Sequence, residues 1–516
     1  MKKQRGFSII EILIAMALAL IVMSGVVAGS GGFASTLGGY QSSISDSEIN
    51  SEALRKAQDL IEEAVARART DYSGVASSTE IDFSSGLSYL KTLAIPIAYA
   101  TQCMEAVVGT VSWTGTHGRT LSVGATTTIV NIPEMFALGG DCDITLPDDW
   151  DAPNFYENAE IIHPGSQATD VDVISRSGRT YALLTSQGSG FTFWVVDVTD
   201  PENPAPIGQF DVGNDVYGID AILDDNVAYA YLATASSTAQ LQVIKIDFSL
   251  YPGTNPGITR AASKSLSGVS GSQATTAGRT VLYYDEKLYV GKREGGGNEL
   301  HVFDASTPSS PTPLGSVELN HTVYDIEVRG DYAFIAASAQ TDAGCELIVI
   351  DIRNPSSLTN TCLPSSVDGE MIFRAPGKFD GTSVAVVGER AYLGRQRAAA
   401  SHDFFVLDIS DLEAISSLGS LNMGINSNTQ VVGLEVRGAF AFVATSDQNY
   451  SPAGSGKGGP FMVYNVADPQ NIFLVSVCTR DFSEQSTGMD FFENATYVTN
   501  TASKALRILY PSPSCS

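Results

Sequence analysis

Two stretches of the chain, VYDIEVRGDYAFIAAS (Val323–Ser338) and VVGLEVRGAFAFVATS (Val431–Ser446), are copies of one another. In each, apolar and polar residues alternate up to a glycine, Gly330 in the first and Gly438 in the second, and a mostly apolar run follows it. The two runs predict two strands, and the glycine between them predicts a tight turn. Weaker copies are VYGIDAILDDNVAYAYLATAS, TTAGRTVLYYDEKLYVGK, SVAVVGERAYLGR and GMDFFENATYVTNTAS. First strands are therefore expected near Val171, Ile219, Val281, Ile326, Val384, Leu434 and Met489. A third strand comes next, as FWVVDVTDP, LQVIKIDFS, LHVFDASTP, LIVIDIRNP, FFVLDISDL and FMVYNVADP. Each closes on an acid or amide (Asp197, Asp247, Asp304, Asp351, Asp408 and Asn465) whose side chain is suited to accept an N–H from the turn that follows. A fourth strand follows, as in APIGQFDV and TPLGSVEL.

Four strands per repeat, spaced by roughly 50 residues, predict a β-propeller. The first-strand count gives seven blades, with six or eight as alternatives. The last copy runs GMDFFE, ATYVTN, ALRILY and stops one strand short. Glu157–His163 (ENAEIIH), ahead of the first copy, is expected to supply the missing strand. That would join both ends of the propeller in one blade and leave no open edge. The copies resemble the LVIVD-type repeats of bacterial surface propellers, and the propeller is placed at 157–516.

The N-terminus reads differently. Lys2, Lys3 and Arg5 precede Gly6, and from Phe7 to Gly29 the only charged residue is Glu11. At about 1.5 Å per residue a helix of that length reaches roughly 34 Å, enough to cross a bilayer core. The cations favour a cytoplasmic N-terminus. A carboxylate within an apolar run costs about 3 kcal/mol on insertion scales and marks a function. GFSIIE, Gly6 to Glu11, resembles the prepilin signature of type IV pilins and type II secretion pseudopilins. The resemblance implies a leader at 1–6, cut between Gly6 and Phe7 by a membrane prepilin peptidase, and methylation of the Phe7 amine. It also implies that Glu11 meets the Phe7 ammonium of a neighbouring pilin subunit. The chain is then expected in the cytoplasmic membrane through 7–29 before assembly, and afterwards at the cell surface or in a pilus with its propeller outside the cytoplasm.

The fold class expected is thus a pilin-like α+β module followed by an all-β propeller. Residues 30–72 continue the pilin helix. Within them Ser45–Arg69 is strongly helical, with Ser47 as a candidate N-cap and Ile49, Leu54, Ile61 and Val65 on one face. Residues 73–145 form a small β head, whose Ala106–Asn131 alternates around the turn TGTHG. Residues 146–160, rich in Asp, Asn and Pro, read as a linker. Asp148, Asp149 and Asp151 within it are read as a solvated acidic stretch, not as a metal site.

Lys and Arg total 30 against 57 Asp and Glu, for a net charge of −27 over 516 residues. That balance excludes a nucleic-acid binder, which needs clustered cations. Cys103, Cys142, Cys345, Cys362, Cys478 and Cys515 fit an oxidising compartment. Sequence does not fix their pairing, but neighbours along the chain fall within single units: Cys103–Cys142, Cys345–Cys362 and Cys478–Cys515. No C-x-x-C, H-x-x-x-H or G-x-S-x-G spacing occurs, so no metal, cofactor or catalytic residue is expected. Three loops between second and third strands carry Arg293, Arg395, Arg397, His402 and Lys457, a candidate rim for an anionic or glycan ligand. The function expected is that of a minor pilin or pilus-tip subunit displaying a propeller for adhesion to a glycan or protein. The alternatives are a secretion pseudopilin gripping an exported substrate and, last, a propeller enzyme.

Overall fold

The structure is a computed structural model that describes residues 39–68, 75, 77–84, 87–94, 104–114, 120–130, 150, 154–157, 167–339, 344–363, 366, 368–377, 379–397, 402–425, 429–447, 460–475, 485–501 and 505–510. They fall into two units, one within Gly6–Ile144 and one within Thr145–Ser516.

In the first unit a 30-residue helix, α1 (Gly39–Ala68), covers an antiparallel sheet of β1 (Ser78–Ser84), β2 (Leu87–Ala94), β3 (Met104–Thr114) and β4 (Thr120–Val130) in that order. Ser47 lies inside α1 and is not its cap. The buried stripe is Ala53, Ala57, Leu60 and Ala64, packed on Tyr89, Leu93, Val107, Val111 and Trp113. Of the expected face, Ile49 and Val65 pack at the edge of this stripe, whereas Leu54 faces solvent. The reason is close approach: a Cβ on Gly109 would stand 2.9 Å from the carbonyl of Ala57. Small side chains let helix and sheet touch, while larger ones flank the contact. Lys56, buried beside Tyr89, reaches Asp82 at 2.5 Å.

In the second unit β5 is Asn154–Glu157. Six sheets follow in chain order. They are β6–β9 (Gln167–Arg176, Arg179–Gln187, Phe193–Asp197, Ala205–Phe210), β10–β13 (Val216–Asp224, Val227–Thr234, Leu241–Asp247, Gly257–Lys264) and β14–β17 (Gly278–Tyr284, Lys287–Lys292, Leu300–Asp304, Thr312–Val317). Next come β18–β21 (Val323–Arg329, Tyr332–Ala337, Leu347–Asp351, Ile372–Phe373), β22–β25 (Gly381–Val387, Arg390–Arg395, Phe404–Asp408, Ser416–Leu421) and β26–β29 (Val431–Arg437, Phe440–Thr445, Phe461–Asn465, Phe473–Leu474). The seventh sheet is β30–β32 (Ser486–Phe492, Ala495–Asn500, Leu506–Tyr510), with β5 as its fourth strand. The first strands meet in succession, β6 to β10 and onward to β30, and β30 returns to β6. The unit is a β-propeller closed on itself.

Closure uses both chain ends, with Arg507 opposite Glu157 and Tyr510 opposite Asn154. The closing strand is not the expected Glu157–His163, with which it shares only Glu157. The stretch read as a linker, 146–160, also holds Trp150, fully buried against Phe442 and Phe491. Trp150 fixes the chain four residues upstream of the strand, so pairing begins at Asn154. The repeat-internal details follow from residue chemistry. Gly330 and Gly438 turn between first and second strands at φ +55° and +54°, where L side chains are strained. All six acids or amides ending third strands accept the N–H two residues on, at 2.8–3.1 Å. Cys345 and Cys362 form a disulfide within the fourth sheet's region. Cys103, Cys142, Cys478 and Cys515 lie outside the described residues.

Candidate functional site

The seven first strands line a central cavity of about 490 Å³. Each opens with a β-bulge at the same place, where the register slips past Thr169, Tyr217, Arg279, Tyr324, Thr382, Val432 and Thr487 in turn. A bulge re-aims one side chain out of the pleat, and here all seven border the cavity. The strands crowd at this level: a Cβ on Gly218 would lie 2.8 Å from the carbonyl of Arg279, and one on Gly488 2.8 Å from Cα of Asp170.

Three successive bulge residues make the mouth's chemistry. The Arg279 guanidinium lies between two rings, 5.0 Å from the centroid of Tyr217 and 5.4 Å from that of Tyr324. Arg293, from the loop after β15, lies 5.7 Å from the Tyr217 ring. Tyr324 is held by its hydroxyl, which donates to Asp380 Oδ2 at 3.0 Å. Among the described residues, both guanidiniums meet ring faces and neither forms an ion pair or side-chain hydrogen bond. Burial, and next the neighbouring Arg293, push the Arg279 guanidinium below its ordinary value. Burial and Asp380 push the Tyr324 hydroxyl up to about 12.

Below the mouth, aspartates stitch neighbouring sheets. Asp170 accepts the N–H groups of Val171 and of Ile219 in the next sheet, at 3.0 and 3.1 Å. Asp325 does the same with Ile326 and Val384, both at 2.9 Å. Asp220 takes Tyr283 N–H, and Asp490 takes Val173 N–H across the closure seam. Burial pushes the Asp170 and Asp325 carboxyls up to about 7, against the pull of their N–H bonds.

A pH dependence follows. With folded values near 7 and unfolded ones near 4, the native state binds the extra protons, and stability falls as pH rises between those values. The third-strand acids shift the other way. Asp247, Asp304, Asp351 and Asp408 are held below the usual range by hydrogen bonds from the turn, so their contribution is lost only in stronger acid. The propeller is expected to melt higher at about pH 5.5 than at about pH 8 in calorimetry. Equal midpoints, or the reverse order, would show that these two carboxyls are ionised throughout.

The described members of the expected cationic rim take different places. Arg293 reaches the channel mouth. Arg395 does not: it is fully buried, with Nη2 2.9 Å from Glu346 Oε1 and its guanidinium against Phe405 and Phe379. A guanidinium that ends a second strand is enclosed by the adjacent sheet, and burial without Glu346 would strand its charge. Arg397 donates to the carbonyl of Ile425. His402 is exposed and its Nδ1 meets Ser420 Oγ. Lys457 lies outside the described residues. Lys292, the last residue of β15 and next to Arg293, is likewise interior, with Nζ on Glu299 and the carbonyls of Arg293 and Gly295. Sequence reasoning missed Tyr217, Arg279 and Tyr324. Stacking the repeat copies in columns would have found them, because VYG, GRT and VYD fall in one column.

Residues 1–27 match the prokaryotic N-terminal methylation motif. Residues 288–318 and 322–362 match the LVIVD repeat. No curated protein matches the chain. Among solved structures, a Bacteroides uniformis protein provisionally named a 6-phosphogluconolactonase aligns over 65% of this chain and 88% of its own, at 9% identity and a TM-score of 0.41. No helix among the described residues is long and apolar enough to cross a membrane, and Gly6, Phe7 and Glu11 lie outside them. The motif implies processing by a prepilin peptidase and assembly with other pilins. At one end, then, the chain carries the N-terminal methylation motif of pilins and pseudopilins, and its C-terminal unit is a propeller that includes LVIVD repeats.

Proposed function

We propose that this chain is a minor or tip subunit of a pilus, and that its propeller is an interaction module held outside the cell for adhesion. The observation that carries the reading is the methylation motif at 1–27 on the same chain as a closed seven-sheet propeller. A head of this size would crowd its neighbours if repeated at every position of a filament, which favours a sparse or terminal place. The Cys345–Cys362 bridge suits an oxidising compartment. The fold alone does not name a ligand.

The test is protease shaving of intact cells together with analysis of sheared filaments. The propeller should be digested without lysis, and the processed chain should appear in the filament fraction at far lower abundance than the main subunit. A propeller protected until the envelope is broken would refute outward display. Accessibility with absence from filaments would instead favour a secretion pseudopilus.

A further inference from the structure

We propose that the channel mouth formed by Tyr217, Arg279, Arg293 and Tyr324 binds the carboxylate of an acidic saccharide. In a chain with nearly twice as many acids as bases, two guanidiniums that among the described residues meet only ring faces are unusual company. Arg279 lies over the rings of Tyr217 and Tyr324, and these ring contacts hold its guanidinium without consuming its N–H donors. Its edge remains available for a bidentate oxyanion. Arg293 adds a second cation against the same Tyr217 ring. The pair repel each other, and a bound anion relieves both.

The surroundings select the rest of the ligand. Around the rest of the cavity wall stand amides and hydroxyls, among them Thr280 next to Arg279 and Gln187, Gln430, Ser446 and Gln485 at other sheets. Such groups suit the vicinal hydroxyls of a sugar, whereas a bare inorganic anion would leave them unused. Deeper in the channel lie the carboxyls of Asp170 and Asp325. Asp172, Asp220, Glu327 and Glu435 line the same channel, and this run of carboxyl groups disfavours an anion that descends and keeps the charged group at the mouth. A uronate end therefore seats on the arginines, and the remainder of the oligomer stays on the polar rim.

This names a ligand class for the propeller proposed above as the outward module, and it rests on that reading only for where the ligand is met. The test uses purified full-length chain in detergent, titrated calorimetrically with short galacturonate and glucuronate oligomers, a neutral galactose oligomer of equal length, and sodium sulfate. At least one uronate oligomer should bind, and the neutral oligomer should not. Arg279→Gln and Arg293→Gln should each weaken binding by about tenfold or more, with unchanged melting of the propeller. Failure of both uronates, equal binding of the neutral oligomer, or unchanged binding by both variants would overturn the proposal. Sulfate binding as tight as the uronates would reduce the site to a general anion site and overturn the saccharide assignment. Because binding is measured on isolated protein, its failure would leave outward display untouched.

Discussion

Replacing Trp150 by Ala should destabilise the propeller by about 3–5 kcal/mol, the range for truncating a large aromatic in a packed core. Trp150 has no exposed surface. Its ring meets Phe442 edge-on at 4.8 Å and Phe491 at 6.1 Å, and those two phenylalanines lie 4.7 Å apart. Its Nε1 donates to Asn494 Oδ1 at 3.1 Å, so the buried N–H is satisfied. Phe442 comes from β27 and Phe491 from β30, so the indole fills the seam between the sixth and seventh sheets. Four residues later the chain enters β5, the strand that completes the seventh sheet. Truncation therefore opens a cavity and loosens the ring at its closure together. Trp150→Phe should cost distinctly less, because it keeps the aromatic contacts and loses only volume and the hydrogen bond. Denaturant unfolding of the purified chain reads both variants. A Trp150→Ala protein that unfolds with the native midpoint would mean that this residue does not anchor the closure.

Much of the propeller was legible because its repeats obey rules that act within a few residues. Period-two alternation marks strands, glycine at Gly330 and Gly438 marks left-handed turns, and an acid or amide at the end of six third strands marks the turn it caps. Each is a local bargain between a side chain and nearby backbone, so each leaves a local mark. Features that depend on the neighbouring sheet leave none. The residue just before the third strand is Thr192, Gln240, Glu299, Glu346 or Asp403, and each accepts an N–H from the stretch after the fourth strand. Glu346 thereby sits where Arg395 of the following sheet needs a counter-ion. In sequence Arg395 is one more cation in a cationic loop; in space it is interior. The bulges act likewise, since the register slip that gathers Tyr217, Arg279 and Tyr324 is a property of strand pairing. Trp150 was hidden by its company of Asp and Pro, which read as linker although the tryptophan itself belongs to the core. In the N-terminal unit the helix was plain, but the centre of its contact face was missed, because alanines that permit close approach look weaker than the aliphatics, Ile49 and Val65, that flank them.

Substituting Gly6 by Val should abolish processing outright, leaving residues 1–6 on every molecule. The run Phe7–Gly29 has Glu11 as its only charge, and an unpaired carboxylate there costs about 3 kcal/mol even on the milder insertion scales. The prepilin resemblance of Gly6–Glu11 gives it an expected partner, the amine of Phe7 on a neighbouring subunit. That amine is bound in a peptide until the chain is cut after Gly6, so processing must precede pairing. Uncut chains lack the ammonium and retain Lys2, Lys3 and Arg5, which hold the N-terminus on the cytoplasmic side. Both effects oppose withdrawal of the segment from the bilayer into a filament. Glu11→Gln separates the two steps, since it leaves the cut site intact and removes the acid. It should be processed normally, begin at a methylated Phe7, and be missing from sheared filaments. Intact mass and N-terminal peptide mapping of membrane and filament fractions decide the matter. Native chain that begins at Met1, or Glu11→Gln chain that enters filaments at the native level, would remove the charge pair from the assembly step.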